Sequence, residues 1–154
     1  MCARPPVLMS DKKVISVFGE PIELLIASKA TNNTFCVAVQ TSPPGGGPPP
    51  HKHEREEEVF VVLEGEYELF DGKEWKPLQK GEVRYSLRGN YHGFRNSGTT
   101  TGRLLFMTNA GGLDEYFAEI SPLTLPQDME RFAEISKHYG YYFLPLYPPN
   151  TAEN

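Results

Sequence analysis

The side chains best suited to chemistry in this chain are its histidines. His51 and His53 are one residue apart, and on an extended strand such a pair projects from one face, about 6.6 Å apart. Two imidazoles so placed can converge on one ion, at about 2.0–2.1 Å if the ion is zinc. Taken alone, a His-x-His pair is a weak signal, and in most proteins it is merely polar surface. Its surroundings strengthen the metal reading. Glu58 heads the apolar run 59–63 and offers a carboxylate oxygen, and His92 follows Gly89 in a further strand-like segment. Three of the four histidines thus share one pattern with a glutamate.

The neighbouring charges read differently. In the run Glu56-Glu57-Glu58 one carboxylate is the ligand, and Glu56 and Glu57 are expected in water at the strand start. A supporting role for Glu57 behind the ligands is the lesser alternative. His138 stands at a helix end, where an imidazole interacts with the last carbonyls and the dipole. Arg84 and Arg88 read as solvated surface. The chain shows no serine or cysteine nucleophile pattern, phosphate loop or dinucleotide fingerprint.

The elements that must position these groups are short strands. Runs rich in Val, Ile, Phe and Tyr predict strands at 13–18, 22–28, 34–40, 57–63, 67–70, 82–87, 91–95 and 103–108. Asp71-Gly72 is a two-residue hairpin signal, and Glu64-Gly65 and Lys80-Gly81 mark further turns. Both faces of 59–63 are apolar, which predicts a strand buried on both sides. After residue 111 the period changes. Leu113, Tyr116, Phe117 and Ile120 mark a short amphipathic helix. A second helix is predicted over 126–137, with capping-box spacing at Thr124 and Gln127 and with Gly140 as its left-handed stop. Ser42-Pro-Pro-Gly-Gly-Gly-Pro-Pro-Pro50 is a stiff connection that also leads directly to His51. By parity with the ligands, Phe60, Val62 and Phe94 face inward, as barrel core or as pocket lining, and Tyr85 and Met107 are weaker pocket candidates.

Composition sets limits. A chain of 154 residues suits one domain, with 1–12 a flexible N-terminus, 13–112 a β-barrel and 113–154 a helical extension and tail. A net charge of −5 argues against nucleic acid, since phosphate binding needs a basic face. No apolar run approaches the ~18 residues that would span a bilayer, and the N-terminal apolar stretch is too short for a signal peptide. Two cysteines, Cys2 near the end and Cys36 in an apolar run, make no disulfide framework, so a cytoplasmic setting is expected.

Residues 45–65, Gly45-x5-His51-x-His53-x4-Glu58-x6-Gly65, resemble the first motif of the cupin family. Gly81-x7-Gly89-x2-His92-x3-Asn96 resembles the second, with Leu87 where the family usually has proline. The surrounding chain is most similar to single-domain, quercetin-dioxygenase-like cupins. The resemblance implies an all-β fold, a double-stranded β-helix (jelly-roll barrel) followed here by short C-terminal helices. It also implies that His51, His53, Glu58 and His92 are the ligands of one divalent transition metal per chain (Fe, Ni, Mn, Co, Cu or Zn), with Asn96 structural. Glu58, the carboxylate at the ion, is then the candidate catalytic proton acceptor.

A dioxygenase-type oxidoreductase acting on a small chelating substrate, flavonol or enediol-like, is the function this implies. A non-redox metal-dependent isomerase or lyase on a sugar or keto acid is the alternative, as is a non-catalytic protein that binds a small ligand. The expected partners are a small molecule and a second copy of the chain in a homodimer, with no nucleic acid and no membrane.

Overall fold

The computed structural model describes residues 13–144. The expectations for 1–12, Cys2 among them, and for the proline-containing tail 145–154 lie outside the described residues. Eleven strands and two α-helices are present among those described. The strands are β1 (Lys13–Val17), β2 (Glu20–Ile26), β3 (Phe35–Ser42), β4 (His51–His53), β5 (Glu58–Glu64), β6 (Tyr67–Phe70), β7 (Trp75–Leu78), β8 (Val83–Ser86), β9 (Gly93–Asn96), β10 (Gly102–Asn109) and β11 (Tyr141–Phe143). The helices are α1 (Leu113–Ile120) and α2 (Met129–Tyr139).

Alternation of buried and outward side chains assembles them into two layers. The larger sheet runs β1-β2-β3-β10-β5-β8 and is antiparallel throughout. Opposite it lie β7-β6-β9 and β11-β4, joined by a bridge between His51 and His92. This is the double-stranded β-helix, with the core between the layers. Inward residues form rows across the strands: Cys36 pairs Thr108, Thr108 pairs Glu58 and Glu58 pairs Ser86, while Ala38, Phe106 and Phe60 form the next row. Leu113, Tyr116, Ile120 and Phe132 bring both helices onto the same core. No helix among the described residues is long and apolar enough to cross a membrane.

Several local expectations are corrected. Strand β5 is not buried on both faces: Glu58, Phe60 and Val62 are buried, whereas Val59, Val61 and Leu63 are half-exposed because no second layer among the described residues covers that side. Strand β7 is absent from the sequence reading, since Pro77 breaks the β signal; it is tolerated because β7 is the edge of its sheet. Asp71-Gly72 does not form a two-residue turn. The β6–β7 loop is residues 71–74, and the Asp71 carboxylate accepts hydrogen bonds from the amides of Lys73 and Glu74.

Helix α2 begins at Met129, after the expected start, and Thr124 does not cap it. Instead the Asp128 carboxylate accepts the Thr124 amide at 2.7 Å, forming a local turn that competes with helix. Gly140 ends the helix as expected, with φ of 82° and its amide turned back to the last carbonyls.

Candidate metal centre

Each candidate ligand is positioned by a different piece of backbone. On β4, His51 and His53 point inward, while Lys52 between them turns out to lie over the rings of Tyr91 and Tyr142. The amides of His51 and His92 each donate to the other's carbonyl at 2.7 Å, which locks His92 beside β4. Glu58 reaches the same point from the opposite sheet, as the first residue of β5.

Four ligand atoms, one from each of His51, His53, Glu58 and His92, lie within 4.8 Å of one another, and all four residues are buried. Oε2 of Glu58 is 3.0 Å from Nε2 of His92 and 3.7 Å from Nε2 of His53. The far ring nitrogens are held from behind. Nδ1 of His51 lies 2.8 Å from the Pro49 carbonyl, and Nδ1 of His92 lies 2.8 Å from Ser86 Oγ and 3.0 Å from the Asn90 carbonyl. A carbonyl can only accept, so these contacts put the proton on Nδ1 and leave Nε2 bare for a ligand.

Burial, reinforced by the His92 ring, pushes the His51 imidazole down to about 3. Burial and the other two imidazoles take His53 well below the usual range. Neutral imidazoles are the form that ligates. Three nitrogens and one carboxylate oxygen converging in a buried pocket fit a divalent transition ion, and fit poorly the all-oxygen shell of calcium or magnesium. The four residues could therefore hold such an ion.

The acidic run is divided by the fold. Glu57 bonds outward to the Tyr85 hydroxyl and to Asn109. Glu56, expected in water, is instead buried. The turn after β4 swings it inward, where the Tyr141 hydroxyl donates to its Oε1 at 3.0 Å. Burial raises its carboxyl to about 7 against the opposing effect of that hydrogen bond. Its Oε2 has no hydrogen-bond partner among the described residues and stands 4.0 Å from Nδ1 of His53, which also has none there. Nothing local in the sequence signals this, because Tyr141 is 85 positions away. His138 is exposed on the last turn of α2 and outside the cluster, and Arg84 and Arg88 are exposed as expected. Asn96 holds loops together through the carbonyls of Ser42 and Thr100, in accord with a structural role.

A cavity of about 400 Å³ opens from His51, His53 and Glu58. Of the pocket candidates, Phe94 lines it. Phe60 and Val62 face inward but are packed as barrel core, with Phe60 against His92 and Phe94. Tyr85 is exposed on β8, and Met107 lies on the outer face of β10, so neither lines the cavity. The sequence reading missed much of the wall, including Leu113, Tyr116 and Ile120 of α1, Phe132 of α2, and Tyr141 and Phe143 of β11. The proline-glycine connection serves both of its readings, since Gly47, Pro48 and Pro49 line the cavity beside His51. Among the described residues no Lys or Arg is in the lining, and Glu20, the one carboxylate there besides Glu58, is bonded to Gln40, Ser42 and the Gly47 amide.

Comparison with known proteins agrees with this architecture. Residues 38–108 match the family model of the Cupin domain. A predicted oxalate decarboxylase from Thermotoga maritima is 28% identical, over 64% of this chain and 91% of its own, with a TM-score of 0.56. The polyketide cyclase RemF from Streptomyces resistomycificus is 26% identical, over 70% of this chain and 80% of its own, with a TM-score of 0.55. A sugar phosphate isomerase from a cupin superfamily, from Silicibacter pomeroyi, shares the fold at 20% identity over 68% of this chain and 75% of its own, with a TM-score of 0.56. No curated protein matches the sequence. The matched domain and these neighbours support the cupin superfamily.

Proposed function

We propose that this cupin-like chain is a metal-dependent, dioxygenase-type oxidoreductase acting on a small chelating molecule, flavonol or enediol-like, with O2 as the oxidant. The observation that carries the reading is the junction of two environments. A buried group of three imidazoles and a carboxylate opens directly on an apolar cavity rich in Phe and Tyr, with no Lys or Arg among its described lining residues.

When bound, a redox-active divalent ion would supply Lewis acidity toward an enol oxygen and an electron path toward O2. His51, His53, Glu58 and His92 would hold it. The chain supplies the rest. Phe94, Phe106 and the α1 side chains exclude water and receive the apolar body of the ligand, so that its oxygen donors are the part turned toward the imidazoles. Glu58 is the carboxylate placed to take a proton from the chelating hydroxyl at Oε2, and holding both partners in one cavity removes the entropy of bringing them together.

The lining also bears on the neighbours' activities. An anionic group directed away from the ion would meet no Lys or Arg among the described lining residues, at a heavy desolvation cost. A non-redox reading keeps one specific support, the likeness to a polyketide cyclase at 26% identity. The two readings separate on oxygen. The protein is reconstituted with Fe, Ni, Mn, Co and Cu in turn and oxygen uptake is followed with flavonols and enediols. Uptake with at least one metal is the expected result. Anaerobic conversion with no uptake for any metal would transfer the protein to the non-redox class.

A further inference from the structure

Of the three imidazoles, only His53 has no hydrogen-bond partner for its Nδ1. The polar atom facing it is Oε2 of Glu56 at 4.0 Å, itself without a partner, and both residues are 3% exposed. Two orphaned buried atoms opposite each other are costly, since each forfeits a hydrogen bond that water would have given. An apolar residue at position 56 would fill the space without that cost. The glutamate is also held from its other side: Tyr141, 1% exposed, donates to Oε1 at 3.0 Å and packs its ring 4.5 Å from His53.

We propose that Glu56 is the positioning residue of His53. Its Oε2 accepts the proton of Nδ1 and so fixes the tautomer whose bare Nε2 faces Glu58. Tyr141 anchors the carboxylate while its own ring confines the imidazole. A bond of ordinary length, ~2.8 Å, is reached from 4.0 Å by a movement of about 1.2 Å, for which Glu56 has a soft terminal torsion. The arrangement gives His53 what backbone carbonyls give His51 and His92, because the turn at 54–55 leaves no carbonyl in reach of its Nδ1. Carboxylate, histidine and ion in sequence is a general way of orienting a ligand and raising its basicity. The inference rests on the metal reading above for its purpose, but the tautomer can be tested without metal.

Two measurements test it. Long-range 15N–1H NMR on the metal-free protein locates the proton of the His53 ring, expected on Nδ1 in the wild type and in Glu56→Gln, which keeps an acceptor, and redistributed to Nε2 in Glu56→Ala. Zinc titration against a competing chelator should show a loss of about 10- to 100-fold in affinity for Glu56→Ala, largely recovered in Glu56→Gln, with a smaller loss in Tyr141→Phe. A wild-type proton on Nε2 would overturn the proposal. So would a folded Glu56→Ala protein with unchanged tautomer and affinity. Should Glu56→Ala not fold, Tyr141→Phe replaces it: loosened zinc binding and a mixed tautomer support the role, and wild-type values for both overturn it. A wild type that binds no zinc defeats the metal reading, while the tautomer still decides the Glu56–His53 relationship.

Discussion

Oε2 of Glu58 lies 3.0 Å from Nε2 of His92, although the two residues are 34 positions apart and arrive from opposite sheets. The contact exists because β5 and the His51–His92 bridge face each other across the barrel, so removing ligands from one sheet leaves the other's in place. In the double variant His51→Ala with His92→Ala, metal content is expected to fall from about one transition ion per chain to near zero. Circular dichroism should show the barrel intact. Full metal content in that variant would contradict the site.

Glu57 and Glu58 offer a sharper comparison, since they are adjacent and face opposite ways. Glu57→Gln alters only surface bonds to Tyr85 and Asn109 and is expected to change metal affinity less than about twofold. Glu58→Gln removes the carboxylate among the imidazoles, and a loss beyond about 100-fold is expected, more than loss of an outer partner gives. Metal titration of the two variants checks the order.

Gly47 governs how the chain enters β4. Its φ is 130°, and a Cβ there would stand 2.2 Å from the Phe94 carbonyl oxygen. Gly47→Ala is expected to destabilise the protein by at least the 1–3 kcal/mol or so of a strained backbone. It should also weaken metal binding, because Pro49 and His51 shift with the loop. Urea denaturation together with metal titration reads both effects. Wild-type values would show that the loop adapts freely.

Cys36 is buried in the same inward row as Thr108 and Glu58, and burial, with the Asp114 charge next, pushes its thiol from 9.0 up to about 12. In a Cys2→Ser background, a disulfide reagent at pH 8 should leave Cys36 unmodified until the protein unfolds. The sign for stability follows. Between about pH 9 and 12 the unfolded thiol has lost its proton and the folded one has kept it, so the unfolded state binds fewer protons and stability falls as pH rises. Below that window the contribution is fully present. Urea midpoints at pH 8 and 10.5 should therefore differ less in Cys36→Ala than in the wild type.

Much of the candidate site was legible in the linear chain because its signals are local. Period-two alternation placed Glu58, Phe60 and Val62 on one face of β5, and the single-residue spacing of His51 and His53 did the same on β4. Glu58-x6-Gly65 belongs to the motif that pointed to Glu58, and the switch to a 3.6-residue period announced α1. Tertiary structure alone decided what depends on residues far apart in sequence. The inward turn of Glu56 exists only because Tyr141 meets it from the end of the chain, and Tyr141 and Phe143 read as tail until β11 pairs with β4. Part of the cavity wall is likewise helix, from residues whose apolar stripe shows in sequence while the face it covers does not. Hydrophobic burial is non-directional, so a pattern of apolar residues determines that an element packs, but only the assembled layers determine against what.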